Sequence, residues 1–196
     1  MNNKLFLWGV KDIIINPVKA WAIIDSENKS MSVIRNIFLF PVILLVSVSA
    51  IAGSLIYTNA ELSPVYSVFV GIKCFLLYYI TVYASAFILK EITYPLDLGR
   101  DYAISFRLIV FSIIPFLLCQ ILSRLFESLL FINILALYGL YIFFTGTEKL
   151  LTPPAYKKIP MLIAATLTFI GIYIITNLLL TTVIDKIYKA FFSKSL

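Results

Sequence analysis

The sequence predicts an all-α integral membrane protein with five transmembrane helices, and three observations support this fold class. Hydrophobic residues make up 61% of the 196 residues and charged residues only 13%, whereas about 45–50% of a globular domain is apolar. The mean hydropathy is +0.99. The apolar residues form five runs, each long enough to cross the roughly 30 Å hydrocarbon core of a bilayer as an α-helix. We therefore expect five spans with short connections and no separate soluble domain.

Residues 1–35 are predicted to form short amphipathic helices that do not span the bilayer. In residues 3–15, NKLFLWGVKDIII, the charged side chains gather on one side of a helical wheel and the apolar ones on the other. Asn16 is a suitable helix cap and Pro17 suits the first position of a second helix, which the polar residues 25–32 end. Two placements remain open, a pair of helices lying in the membrane interface and a small cytosolic cap folded onto the loops.

The transmembrane domain is predicted to cover residues 36–184, followed by a basic tail over residues 185–196. Its five spans are predicted at residues 37–57, 65–89, 103–122, 128–145 and 159–183. In the first span, Ser49 and Gly53 are small residues spaced i, i+4, a pattern that lets two helices approach closely. In the third span, Pro115 removes one backbone donor and predicts a kink.

Lysine and arginine are distributed unequally between the connections. The connections on the N-terminal side of the spans hold ten of them and those on the other side hold four, three of which are in the tail. The positive-inside rule then predicts a cytosolic N-terminus and an outside C-terminus. A four-span alternative, with one apolar run re-entrant, would bring the basic tail inside. The net charge is +6, and the basic residues that cause it are dispersed between the spans. This distribution favours membrane lipids as partners over nucleic acid.

The composition leaves little chemistry for catalysis. Histidine is absent, which removes Ser/His and Cys/His catalysis and histidine zinc sites. No glycine-rich phosphate loop occurs, and no aspartate lies within a predicted span. Cys74 and Cys119 both fall inside spans, so we expect them to be buried without forming a disulfide. The sequence therefore predicts no catalytic residue, no metal site and no cofactor.

Four polar residues fall in the half of the spans that faces away from the N-terminus, with Glu61 and Glu127 in the connections above them. They are Lys73, Gln120, Asn133 and Asn177. Polar groups in lipid must find partners, so one interpretation is a hydrogen-bonded network that fixes helix packing. The other is a polar cavity, open to the outside, that binds an anionic ligand or lipid headgroup with Lys73 as its counter-charge.

A second set of charges lies where the third span begins on the N-terminal side. It comprises Asp97, Arg100, Asp101 and Arg107. Asp97 and Asp101 are four residues apart and could share a cation, but the two neighbouring arginines favour ion pairs at the level of the headgroups. Arg107 is only four residues inside the span, so it can reach back to the headgroups or pair with either aspartate.

Three stretches resemble the Yip1 family of five-span membrane proteins in its short prokaryotic form. They are NPVKAWAIIDSENKS before the first span, DLGRDYAISFRLIVFSIIPFLL around the third, and LYGLYIFFTGTEKLLTPPAYKK at the end of the fourth. The resemblance implies a five-span fold in the cytoplasmic (inner) membrane of a prokaryote. No DLYGP-like motif of the eukaryotic, Rab-binding branch precedes the first span.

We therefore expect a multi-pass membrane protein without catalytic activity that organises membrane lipid or partner proteins, the partner being another protein or a second copy of the chain. The alternative function is a small transporter or channel with an outward-facing polar cavity around Lys73.

Overall fold

The computed structural model describes residues 10–57 and 64–192, and nearly all of these residues are helical. Residues 10–15 form a first helical segment. It is followed by α1 (Pro17–Glu27), α2 (Met31–Tyr57), α3 (Pro64–Thr93), α4 (Tyr102–Leu125), α5 (Ser128–Leu150) and α6 (Ala155–Phe192). Helices α2 to α6 are each long and apolar enough to cross a membrane. The predicted fold class is therefore confirmed.

Several helices extend further than the spans predicted from hydropathy. Helix α2 begins at residue 31 and α3 ends at residue 93. Met31, Arg35, Lys90 and Glu91 in these extensions are good helix formers, so the helices continue beyond the apolar residues of the spans. The predicted basic tail is helical as far as Phe192, where α6 ends. Residues 3–9 of the predicted amphipathic helix, and Glu61, lie outside the described residues.

Helix α3 is at the centre of the bundle, where it packs against α2, α4 and α6. Helix α2 also packs against α4, whereas α5 contacts α4 and, less closely, α6. Tyr78 in the middle of α3 has no exposed surface. Cys74 and Cys119 are free and buried, as predicted. One end of the bundle, which we call the N-terminal end, contains residues 28–30, 94–101 and 151–154. Tyr57 and Phe126 lie at the opposite end.

Helix α4 is broken in its middle, which confirms the predicted kink. It is α-helical over Tyr102–Ser112 and again over Ile114–Leu125, and Ile113 between them has φ −81° and ψ −12°. Pro115 lies in the first turn of the second part, where the missing N–H costs least.

Helix α5 has two kinds of winding, which the hydropathy did not predict. Residues Glu127–Leu137 form a 3-10 helix, and Tyr138–Leu150 continue as an α-helix. The winding is interrupted at Leu129, whose φ −96° and ψ 20° mark a kink between two helical pieces. The piece after the kink is still long, since 3-10 runs beyond three or four residues are uncommon.

Helix α1 packs against the flanks of α4 and α5. The Asn16 side chain accepts a hydrogen bond from the Lys19 amide at 3.2 Å, so the predicted cap is present. Trp21 contacts Phe111, which is nine residues past the start of α4, or about 14 Å along its axis. Both placements expected from the sequence put this segment at the ends of the spans. The structure instead lays it along them, because the indole of Trp21 fits a gap beside Gly146.

Candidate functional site

A cavity of about 680 Å³ opens between α2, α3, α4 and the 3-10 part of α5. We call it the Arg124 cavity. Its polar lining residues are Ser54, Tyr57, Tyr66, Gln120, Ser123, Arg124 and Asn133. It lies at the end of the bundle opposite the N-terminal end, because the last turns of α2 and α4 and the first turns of α3 and α5 form its walls. Its volume is within the range of about 300–1,000 Å³ that is usual for small-molecule sites.

A chain of hydrogen bonds closes one side of the cavity. The Tyr78 hydroxyl donates to Gln120 Oε1 at 3.0 Å, and Gln120 Nε2 donates to Asn133 Oδ1, also at 3.0 Å. Asn133 Nδ2 then donates to the carbonyl oxygen of Leu130 at 2.9 Å. The structure therefore brings together two of the four polar residues that the sequence singled out, and it ties α3, α4 and α5 to one another.

Lys73 lies outside the lining of the Arg124 cavity. It is partly buried on α3, and no described side chain forms a hydrogen bond or a salt bridge with it. Its electrostatic neighbours are Arg124, which repels the ammonium, and Asp185 of α6, which attracts it. Lys73 is therefore close enough to Arg124 to interact with it electrostatically, but it does not line the cavity.

Asn177 is also separate from the hydrogen-bonded chain. Its backbone carbonyl accepts a bond from Thr181 Oγ1 at 2.7 Å, and its side chain has no hydrogen-bond partner among the described residues. Helix α6 packs mainly on α3 and meets α5 only loosely, so Asn177 does not reach the seam between α4 and α5. The expected network of four residues is thus divided into a pair and two separate side chains.

Arg124 is a site residue that the sequence does not single out, because its position there predicts only a charge in a connection. It lies in the last turn of α4, is partly buried, and its guanidinium lies beside the phenol of Tyr78. Gln120, Ser123 and Arg124 share one face of α4, and this i, i+3, i+4 spacing is the signal that could have revealed it.

The backbone of Arg124 fits closely against α2. A Cβ atom at Gly53 would overlap the carbonyl oxygen of Arg124, so only glycine permits this approach. The small pair Ser49 and Gly53 is buried, as its spacing predicts for a close helix contact. This fit fixes the end of α4 and with it the height of Arg124 in the cavity.

The second predicted cluster is not a set of ion pairs between its own members. Asp101 is the N-cap of α4 and accepts hydrogen bonds from the amides of Ala103 at 2.7 Å and Ile104 at 3.2 Å. The predicted pairing with Arg107 is therefore wrong, because the free amides of the first helical turn take this carboxylate. Arg107 is buried and donates instead to Asn28 Oδ1 at 2.6 Å.

Asp97 and Arg100 also find partners from other elements. Asp97 pairs with Lys157 of α6 at 3.1 Å, and the same ammonium donates to the carbonyl oxygen of Leu96 at 2.5 Å. Arg100 pairs with Glu91 at the end of α3 at 2.6 Å, and the hydrogen bonds that its guanidinium donates to this carboxylate raise the pKa of Arg100. These pairs join the connection between α3 and α4 to the last turn of α3 and the first turn of α6, so we interpret the cluster as structural.

Comparison of the chain with protein-family models, with curated proteins and with solved structures gives no match in any of the three. The five candidate spans make it a multi-pass integral membrane protein. The resemblance to the Yip1 family rests on the three sequence stretches alone.

Proposed function

We propose that this is a Yip1-like membrane protein without catalytic activity, which organises membrane lipid by binding an anionic headgroup in the Arg124 cavity. The observation that carries the proposal is a partly buried arginine in a polar cavity, with no salt bridge to any side chain that the structure describes. A partly buried guanidinium that lacks an acidic partner among the described side chains is costly, so an anion in the cavity would stabilise the fold.

The guanidinium of Arg124, which lies beside the Tyr78 hydroxyl, is the charged donor of the cavity. Gln120 and Asn133 are bonded to each other, and the Tyr57 hydroxyl donates to the carbonyl oxygen of Leu125 at 3.1 Å. A guanidinium presents paired N–H groups that match a phosphate in a bidentate manner. The class of ligand that fits this donor is therefore a phosphate or a carboxylate.

The depth of Arg124 suits a headgroup. Arg124 is 22 residues past Tyr102, or about 33 Å along α4, which is one hydrocarbon thickness from the N-terminal end. The excess of basic residues in the N-terminal connections supports a cytosolic N-terminus, so within this proposal the cavity faces the outer leaflet.

A transporter or channel is less well supported. Transport needs a continuous polar path, and beyond the bond between Gln120 and Asn133 the buried face of α4 continues with Leu117, Ile114 and Ile113. A cavity that ends on apolar side chains is better suited to holding a ligand than to passing one.

The test compares Arg124→Gln with the matched control Arg100→Gln, which removes an exposed arginine at the N-terminal end. The melting temperature of the purified protein in detergent is measured with added phosphatidylglycerol, phosphatidylcholine or inorganic phosphate. We expect phosphatidylglycerol to stabilise the wild type and Arg100→Gln more than phosphatidylcholine does, and Arg124→Gln to lose this difference. Stabilisation by free phosphate alone would assign the site to a soluble anion. An undiminished difference in Arg124→Gln would contradict the proposal.

A further inference from the structure

A second cavity of about 290 Å³ lies between α4, α5 and α6, beside the break in α4. We call it the α4-break pocket. Its walls are almost entirely apolar, and Ile113, Phe116, Phe143 and Phe169 form much of them. The proposed function of the protein makes no use of this pocket.

Small residues keep the pocket from being filled by the protein itself. Ala136 and Gly139 of α5 and Ala165 of α6 face it, where larger side chains would close the gap. Gly139 is also required for packing, because a Cβ there would overlap the carbonyl oxygen of Ser112. The loose contact between α5 and α6 leaves the remaining space.

The pocket lies at the depth of the bilayer centre. Ser112 in its wall is ten residues past Tyr102, or about 15 Å along α4, half of the hydrocarbon thickness. At this depth the surroundings are acyl chains, and apolar walls do not hold water. A ligand that enters from the side of the bundle is therefore a hydrocarbon.

The rim of the pocket is continuous with the lipid-facing surface. Leu137 and Leu140 of α5 and Ile170 of α6 line it, with exposed fractions of 65%, 37% and 46%. The exposed apolar surface of a spanning helix contacts acyl chains, so a chain already lying on this face can move into the gap without crossing a polar barrier.

The pocket offers one polar group of its own. Thr166 Oγ1 donates to the carbonyl oxygen of Leu162 at 2.7 Å, whereas Ser112 Oγ is buried with no hydrogen-bond partner in the described parts of the chain.

We infer that the α4-break pocket binds one hydrocarbon chain of a membrane lipid, which enters between α5 and α6. The binding is independent of the charge on the headgroup and therefore of the Arg124 cavity.

The test uses nanodiscs of phosphatidylcholine doped with phosphatidylcholine that carries a diazirine at the middle of one acyl chain. After illumination, the adducts are mapped by peptide mass spectrometry. We expect residues 109–116, 136–143 and 165–170 to carry severalfold more adducts than the exposed apolar face of α2 around Leu44 and Val48. Equal labelling of the two surfaces would overturn the inference.

Filling the pocket provides the matched comparison. Ala136→Phe should reduce the adducts in the three segments severalfold, while Gly171→Phe, whose new side chain meets open space one residue from the rim, should leave them unchanged. Ala165→Leu fills less space and serves as the second variant if Ala136→Phe does not fold. Undiminished labelling in a folded filling variant would contradict the inference.

Three further outcomes are decisive. Ser112→Ala should retain the adducts, because a plain hydrocarbon chain needs no donor, and their loss would overturn the assignment of the occupant. Arg124→Gln should also retain them, so failure of the Arg124 proposal and failure of this inference are distinguishable. Dimers cross-linked through α5 and α6, with loss of lipid adducts when two copies share a nanodisc, would identify a second copy as the occupant and overturn the inference.

Discussion

The indole N–H of Trp21 in α1 donates to the carbonyl oxygen of Ile142 in α5 at 2.9 Å, and the ring has no exposed surface. Gly146, one turn further along α5, makes this contact possible. A Cβ at Gly146 would lie 2.5 Å from Trp21 Cε2 and Cζ2. Helix α1 is therefore attached to α5 by a steric fit and a buried hydrogen bond.

Replacing Trp21 should release this attachment. Trp21→Phe loses the hydrogen bond and part of the ring volume, so we expect the free energy of unfolding to fall by about 1–2 kcal/mol. Val18→Ala is the control, because Val18 is on the same helix with 59% exposure and its truncation should cost less than about 0.5 kcal/mol. Chemical unfolding in detergent provides the measurement. If the two variants unfold alike, α1 is not attached through Trp21.

Arg107 should hold the connection between α1 and α2. Its guanidinium donates to Asn28 Oδ1 at 2.6 Å and to the carbonyl oxygen of Lys29 at 3.0 Å. Arg107→Gln should cost about 1.5–3 kcal/mol, since hydrogen bonds from a charged donor are lost. The Asn28 amide donates to the carbonyl oxygen of Asp25 at 3.3 Å, and its hydrogen exchange should accelerate in Arg107→Gln and be unchanged in Arg100→Gln. Unchanged exchange in Arg107→Gln would show that the connection is held by other contacts.

The spans could be predicted from the sequence because their signal is local. Hydropathy over about 20 residues identifies a span, and Asn16, Pro17 and Pro115 act on the backbone beside them. Depth placed Gln120 and Asn133 in one set with Lys73 and Asn177. The structure pairs these two, which flank one short connection.

The partners of the other side chains could not be predicted, since they depend on how each helix is rotated about its axis. Arg124 faces the cavity, whereas Asn177 on α6 is turned away from the seam that its depth suggests. The partners of Arg107 and Asp97, which are Asn28 and Lys157, come from elements distant in the sequence. Counting charges near one another along the chain finds none of these pairs.

Lys73→Met should not weaken the protein. No described side chain forms a hydrogen bond or salt bridge with Lys73, and a lysine near the centre of a span costs about 2.5–3.5 kcal/mol on insertion scales. We expect an equal or higher melting temperature and an unchanged response to phosphatidylglycerol. Lys157→Met, which removes the bonds to Leu96 and Asp97, is the control and should lower the melting temperature. A lost lipid response in Lys73→Met would place the ligand at Lys73.

The connection before α3 and the connection after α5 should be accessible from opposite sides of the membrane. Cysteine is introduced at Ser63 or at Thr152 in a chain in which Cys74 and Cys119 are replaced by alanine. An impermeant maleimide should label position 63 in intact cells and position 152 only after permeabilisation. Labelling of both positions from one side would contradict the five-span topology.

The 3-10 winding of α5 allows this helix to change length. A 3-10 helix rises about 2.0 Å per residue and an α-helix about 1.5 Å, so rewinding the run from Leu130 to Leu137 after the kink would shorten α5 by about 4 Å. Leu130, Phe131 and Ile134 in this segment are exposed and apolar, so the hydrophobic length would shorten with the helix.

We expect bilayer thickness to set the winding of α5, which spin-label distances from Leu130 to Leu150 in thin and thick bilayers would measure. Since Asn133 lies in the same segment and holds Gln120, a change of thickness would reach the polar cavity through the pitch of one helix.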